Sequence, residues 1–286
     1  MFTGKSAVVT GAGSGIGAAL AAAMVERGAS VVFADIDGDA AHRAALAATG
    51  PGDARAEAVD VVDATAVQRL VDGVVDRKGR LDYMFNNAGT AIGGETEELS
   101  LDHWNRIIDL NVRGVVHGVV AAYPIMVGQG DGHIVNTASL AGLLPGGLLT
   151  SYAMTKHAIV GLSLSLRSEA VAKGVRVTVL CPSAVETPLL DKESVGTFDG
   201  RRYVTTDQGV RRPLAPASLA AQALHAVEQN RPILVTPGSV EWHGGWDGCH
   251  LGWPSRWASV SLPISARERL PPKAQTLLTV QHGAVG

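Results

Sequence analysis

Thr10-Gly11-Ala12-Gly13-Ser14-Gly15-Ile16-Gly17 stands between the apolar run Ser6-Ala7-Val8-Val9 and the run Ala18-Ala19-Leu20-Ala21-Ala22-Ala23-Met24-Val25. The first run has strand character, and the alanines and leucine of the second favour a helix. Glycine permits a tight turn between the two and lets a ligand approach the backbone. A helix start offers unpaired N–H groups and a positive dipole end, so strand, glycine turn and helix in that order make a site for a phosphate. The spacing is Gly11-x3-Gly15-x-Gly17, with Ile16 where the commonest dinucleotide fingerprint has its last glycine. Taken alone, the stretch also reads as an Ala/Gly-rich strand-to-helix turn with no ligand.

Composition narrows the classes around this turn. The chain has 286 residues, 46% hydrophobic and 18% charged, enough for one large α/β domain with a sizeable core. A formal net charge of −3 and no long basic run argue against a nucleic-acid surface. The two cysteines, Cys181 and Cys249, build no disulfide framework, and His243 and His250 near Cys249 lack metal-site spacing, so no metal is expected. The first strand begins within a few residues of the N-terminus, which leaves no room for a signal peptide. The most apolar long stretch, residues 112–127, carries Arg113, His117 and Pro124 and is shorter than the roughly 20 residues of a membrane span. A soluble, cytoplasmic protein with no membrane partner is expected.

Strands and helices alternate from the glycine turn onward. Val31-Val32-Phe33-Ala34 is a strand ending at Asp35, residues 40–48 form a helix, and Gly50-Pro51-Gly52 stops it. Residues 56–59 lead to Asp60-Val61, 64–75 read as an amphipathic helix, and residues 81–85 form a strand ending in Asn86-Asn87-Ala88-Gly89. Such alternation implies a parallel sheet whose ligands bind beyond the strands' carboxyl ends, where Gly11, Asp35, Asp60 and Asn87 all fall. A carboxylate at Asp35 accepts both ribose hydroxyls of an adenosine and repels a 2′-phosphate. Ile36 and Asp37 follow it with no cation, which favours NAD over NADP, although Asp35 also reads as a turn residue capping the next helix. Residues 101–126 predict a long helix with Asn111 inside it, and 132–136 a fifth strand ending at Thr137-Ala138-Ser139. A helix over 151–172, a strand over 175–180, a loop over 182–188, a mobile flap over about 188–213, a helix over 216–229 and a seventh strand over 232–235 complete the reading.

Tyr152-Ala153-Met154-Thr155-Lys156 places a phenol and an ammonium on one helix face. A phenol titrates near about 10, and a nearby cation lowers that value toward working pH at a cost of about 1.4 kcal/mol per unit. Tyr152 is then placed to exchange a proton with an alcohol or carbonyl oxygen, to which Ser139 donates a hydrogen bond as charge develops. Lys156 is also within reach of a cofactor ribose. By itself the pair equally suits a half-exposed helix face.

Thr10 to Gly17, Asn86-Asn87-Ala88-Gly89, Asn111, Ser139, Tyr152 and Lys156 together resemble the short-chain dehydrogenase/reductase family, in matching order over about residues 4–236. The resemblance implies a Rossmann fold, a doubly wound parallel sheet of seven strands with helices on both faces. It implies a catalytic tetrad of Asn111, Ser139, Tyr152 and Lys156, in which the counterpart of Asn111 holds a water of a proton relay. It places Gly11, Gly13, Ser14, Gly15, Ile16, Gly17, Asp35, Ile36, Asp60, Val61, Asn87, Ala88, Gly89, Tyr152, Lys156, Pro182, Val185 and Thr187 against an NAD cofactor. Pro182-Ser183 stands where the family usually has Pro-Gly, so Ser183 is expected to face substrate with Ser139, Leu140 and Tyr152.

The domain expected over 1–236 is followed by an extension over 237–286 that holds Trp242, Trp246, Trp253 and Trp257. These tryptophans suit burial on the same domain or in a subunit interface. The resemblance favours a homotetramer, or a homodimer, and Val112, Val115, Val116, Val119 and Val120 give one helix a second apolar face to bury. The apolar residues 140–149 suit the wall of an apolar pocket, and Arg201, Arg202, Arg211 and Arg212 a solvated surface or a carboxylate. The activity expected is NAD(H)-dependent interconversion of a secondary alcohol and a ketone on a small, fairly apolar molecule. Two alternatives stay open: an NADPH-dependent 3-ketoacyl reductase, disfavoured by Asp35, and a silent dinucleotide-binding regulator, disfavoured by the intact tetrad.

Overall fold

The computed structural model describes residues 1–191 and 194–236, so the Trp-rich extension with Cys249, His243 and His250 lies outside the described residues. Seven strands, β1 (Ser6–Thr10), β2 (Ser30–Asp35), β3 (Asp53–Ala58), β4 (Tyr83–Asn86), β5 (Gly132–Thr137), β6 (Val175–Pro182) and β7 (Ile233–Thr236), form one sheet. Neighbours pair in parallel in the order β3-β2-β1-β4-β5-β6-β7. Central strands such as β1 and β5 are buried along their whole length, as parallel strands covered on both faces must be. The polar Asp53–Ala58 segment takes the edge, where half its side chains meet solvent.

The helices are α1 (Gly15–Glu26), α2 (Gly38–Ala47), α3 (Ala64–Lys78), α4 (Leu101–Ile108), α5 (Gly114–Gln129), α6 (Thr150–Ala170), α7 (Gly200–Arg202) and α8 (Pro216–Glu228). One core gathers Phe2, Leu20, Met24, Phe33 and Leu224 from α1, α8 and one sheet face, and a second gathers Leu70, Val74, Met84, Met126 and Ile134 from α3, α5 and the other. The chain runs outward from β1 to β3, then returns to β4, so β1 and β4 flank the point where the winding reverses. A crevice opens there beyond the strands' carboxyl ends.

The helix predicted over 101–126 runs without a break from Leu101 to Gln129, through a widened π turn at Asp109–Arg113. It is therefore long and apolar enough to cross a membrane by length and composition, yet Val115, Ala121, Ala122 and Met126 bury one side of it in the core. Of the five valines expected on a second apolar face, Val115 and Val119 are buried, Val112 and Val116 are half-buried, and only Val120, 63% exposed, stands open in the single chain. The irregular flap holds short helical turns among its described residues. A 3-10 turn at Pro188–Asp191, α7 and a π turn at Tyr203–Asp207 are tied back by bridges Gly93–Ser194 and Val185–Leu214. Short helical turns of this kind have no room to develop a hydrophobic period, so the sequence pattern passes over them.

At the opposite, amino-terminal edge of the sheet, Asp82 is 3% exposed and accepts from the Ser6 N–H (2.9 Å), Lys5 Nζ (2.9 Å) and Arg80 Nε (2.7 Å). Burial alone would push its carboxyl up, but these donors together hold it below the ordinary carboxylate value. A depressed folded-state pKa contributes stability that is present above the unfolded value and lost as pH falls through the folded one. Asp82→Ala is expected to lower unfolding stability at neutral pH by about 2 kcal/mol, because it leaves the buried Ser6 N–H without its acceptor while Lys5 and Arg80 turn to water. Urea titrations at pH 7 and at pH 3 check this: the gap between variant and wild type should shrink in acid, and an equal gap at both would contradict it.

Candidate active site

The β1–α1 turn is built around two close approaches. Gly11 and Gly15 hold φ of +64° and +54°, a region side chains disfavour. A Cβ on Gly17 would stand 2.0 Å from the Gly11 carbonyl oxygen and 2.6 Å from Asn87 Nδ2, so only glycine lets α1 start this near β1. Ser14 precedes the helix without a side-chain capping bond, and no acidic residue lies in the first turn. The first N–H groups of α1 are thus left to an anion, the donor set a dinucleotide's phosphates require.

Asp35, at the end of β2, accepts from the Gly13 N–H (2.8 Å) through one oxygen and from the Asp37 N–H (3.0 Å) through the other. It therefore orients the glycine turn as well as facing the crevice, while Asp37 caps α2 by accepting from the Ala40 N–H. Asn87 fastens three strand ends. Its Nδ2 donates to the Thr10 carbonyl (3.1 Å), its Oδ1 accepts from Thr137 Oγ1 (3.2 Å), and its N–H donates to Thr10 Oγ1 (3.0 Å).

A single cleft of about 1470 Å³ joins these residues to Ser139, Tyr152 and Lys156. Small-molecule pockets span roughly 300–1,000 Å³, so this cleft has room for a dinucleotide and a second ligand. Gly11, Ser14, Gly15, Ile16, Asp35, Ile36, Asp60, Val61, Asn87, Ala88, Gly89, Pro182, Val185 and Thr187 all line it, and so do Leu140 and Ser183. Gly13 and Gly17 do not; they act behind the lining by letting the backbone close up. Among the described lining residues Arg106 and Lys156 are the cations, and the stretch around Asp35 has none. Of the four flap arginines none lines the cleft: Arg201 forks onto Asp191 (2.8 and 2.9 Å) and reaches Glu186 (2.8 Å), carboxylates of the chain itself.

Tyr152 is 8% exposed and lines the cleft with Ser139. Burial pushes its phenol above the ordinary value, and the Ser139 side chain opposes this. The expected lowering by Lys156 is absent in this state. Lys156 Nζ lies 5.5 Å from the Tyr152 ring centroid and donates to the Thr137 carbonyl (3.0 Å), and burial pushes the ammonium down to about 8. Desolvation acts on both groups and outweighs their mutual attraction. Ser139 Oγ accepts from the Ala141 N–H (3.2 Å) and donates to the Pro182 carbonyl (3.4 Å), bonds long enough to exchange for a better partner.

Asn111 stands behind the cleft. It sits in the π turn, fully buried, and does not line the cleft. Its Oδ1 accepts from the Thr90 N–H (2.8 Å), and its Nδ2 donates to the Thr90 carbonyl (2.8 Å) and to Thr155 Oγ1 (3.1 Å). Thr155 Oγ1 in turn donates to the Tyr152 carbonyl (2.8 Å). The side-chain amide is thus committed to protein partners, and a water could meet Asn111 only through its backbone. Thr90 and Thr155 carried no signal in the sequence beyond Thr155's place between Tyr152 and Lys156. Among the described residues no group of three or more His, Cys, Asp or Glu is placed to hold a metal ion.

Residues 5–196 match the family model described as short chain dehydrogenase. The chain is similar to 1-deoxy-11-beta-hydroxypentalenate dehydrogenase of Streptomyces exfoliatus, 39% identical over 65% of this chain and 69% of that protein. It is likewise similar to cyclohexanol dehydrogenase of Acinetobacter sp. strain SE19, 38% identical over 66% of this chain and 76% of that protein. Among solved structures, a short chain dehydrogenase/reductase from Burkholderia phymatum in complex with NAD superposes with a TM-score of 0.73 at 33% identity, covering 84% of this chain and 91% of that one.

The buried ammonium gives a direct check on the site's electrostatics. Methylation of lysines with ¹³C and an NMR pH titration of the ligand-free protein should show one resonance, lost in Lys156→Ala, with a midpoint near the depressed value of about 8. A Lys156 midpoint at or above about 10.4, the unperturbed lysine value, would contradict it.

Proposed function

The chain belongs to the short chain dehydrogenase family and is an oxidoreductase that uses a nicotinamide dinucleotide, and on that premise we propose that it interconverts a secondary alcohol and a ketone with NAD(H). The observation that carries this reading is the placement of Ser139, Tyr152 and Lys156 in the same cleft as the uncapped, glycine-led start of α1. The names of the relatives, a cyclohexanol dehydrogenase among them, support an alcohol as substrate.

A nicotinamide held in this cleft would supply the acceptor, or in reverse the donor, of a hydride at the carbinol carbon. Everything else falls to side chains. Ser139 turns its hydroxyl from the long Pro182 bond to the substrate oxygen and stabilises charge there. Tyr152 takes the hydroxyl proton as the alcohol is oxidised and returns it when the ketone is reduced. Burial favours the protonated phenol at rest, the form that donates in ketone reduction; to accept the alcohol proton it first gives its own to solvent, a loss that positive charge near the ring favours. Lys156 is the nearest cation, and its Nζ is also our assignment for the cofactor ribose. Asn111 acts as a positioning residue, clamping the Thr90 backbone to the helix turn that carries Tyr152.

Preference for NAD rests on Asp35, whose carboxylate faces the crevice beside Ile36 with no cation nearby to receive a 2′-phosphate. A 3-ketoacyl reductase using NADPH fits that end of the cleft less well, and a silent binding protein would have no use for Ser139, Tyr152 and Lys156 meeting in one cleft.

Tyr152→Phe removes one oxygen and should lower kcat by about 10²–10⁴-fold while the NADH dissociation constant stays within about threefold, measured by fluorescence titration. Turnover at the wild-type rate would remove Tyr152 from the proton step. In a separate comparison of kcat/KM, the wild type should favour NAD over NADP by about tenfold or more, and Asp35→Ala should narrow the gap. A wild type that prefers NADP would overturn the assignment of Asp35.

A further inference from the structure

The part of the cleft beyond Ser139 and Tyr152 is walled by an aromatic pair from the excursion after β6. The Phe198 ring lies on the backbone of Gly93, so near that a Cβ there would stand 2.1 Å from its Cε1 and 2.5 Å from its Cζ. The two segments are joined at the same point, where the Val195 N–H donates to the Gly93 carbonyl (2.9 Å). The Tyr203 ring packs against Phe198, with centroids 5.4 Å apart and planes tilted by 47°. Tyr203 is 5% exposed; its hydroxyl donates to the Gly147 carbonyl (2.7 Å) and accepts from Gln208 Nε2 (2.9 Å). The phenol proton is therefore committed to the protein, and Tyr203 braces the wall without offering a donor to a ligand.

The loop on which Tyr203 closes is itself constrained. Leu148 holds a φ of +62°, which its Cβ disfavours, and it is pinned on both sides: Gly147 by Tyr203, and the Leu148 carbonyl by the Gly94 N–H (2.9 Å). Gly93 and Phe198 both line the cleft, together with Leu144, Leu149 and Val204.

Resting on the alcohol–ketone reading above, we propose that Phe198, seated on Gly93 and braced by Tyr203, sets the size limit of the substrate, and that the substrates are compact alicyclic alcohols and ketones. Phe198 and Gly93 act as one unit: the ring occupies its place only while residue 93 has no side chain.

The test measures kcat/KM with NAD for cyclohexanol and for the two-ring alcohol 2-decalol in wild type, Phe198→Ala, Gly93→Ala and the double variant. Thermal unfolding and NADH titration confirm that each variant is folded and binds cofactor. Phe198→Ala should shift the ratio of the two substrates toward 2-decalol by about tenfold or more. Gly93→Ala should damage cyclohexanol turnover in the wild-type background, where the new methyl displaces the ring, and have little effect once Phe198 is alanine. A ratio unchanged in Phe198→Ala, or equal damage from Gly93→Ala in both backgrounds, overturns the inference while leaving the alcohol–ketone reading intact. A wild type that binds NADH but turns over neither alcohol, nor cyclohexanone and 2-decalone in reverse, overturns both.

Discussion

The structure depends on one close approach, that of the Gly17 α-carbon to the Gly11 carbonyl oxygen. The 2.0 Å left for a Cβ at residue 17 is less than any side chain can occupy. Because that space stays empty, α1 starts directly beyond β1 with its first N–H groups pointed into the crevice. Asn87 closes on the same carbonyl from β4, and Asp35 takes the Gly13 N–H from β2. Three strand ends are thus indexed to one turn before any ligand arrives. The cleft inherits its shape from this indexing, since the strands that bear Asp35, Asn87 and Ser139 are adjacent or nearly so in the sheet. Pre-formed geometry of this kind spares a bound cofactor the cost of ordering its own site.

Around Tyr152 a second constraint operates, desolvation. Tyr152 and Lys156 share one helix face, yet burial moves the phenol up and the ammonium down, which favours the neutral form of each. At neutral pH the phenol is protonated while Lys156, lowered to about 8, keeps most of its charge and directs it to the Thr137 carbonyl. The buried amide of Asn111 bonds to the Thr90 backbone and to Thr155, so the turn that carries the phenol cannot rotate without breaking paired polar groups. Low dielectric makes those bonds costly to leave unmade, and the same low dielectric magnifies any charge that reaches the ring.

Much of this was legible in the residues themselves. Glycine spacing, strand-end polar residues and helix-forming runs depend on local backbone chemistry, so the turn, the alternation and the positions of Asp35, Asn87, Ser139, Tyr152 and Lys156 could be read directly. The direction of the Tyr152 shift could not, because i, i+4 spacing reports proximity and says nothing of burial. Thr90 and Thr155 were invisible for a similar reason: their roles arise from contacts between segments far apart in the chain. Gly93 read as one glycine among many until Phe198 was found on it. The excursion after β6 had no period to follow, and its order comes from long-range ties such as Tyr203 to Gly147.

The central claim is that this cleft brings a carbinol carbon and a nicotinamide together for direct hydride transfer, with the hydroxyl proton leaving through a side chain. Deuterium at the carbinol carbon of cyclohexanol follows the two hydrogens separately. Oxidation by the wild-type protein with NAD in ordinary water should yield reduced cofactor carrying one deuterium at the nicotinamide ring, detected by mass spectrometry and NMR. Reduced cofactor that carries only solvent hydrogen would contradict the account.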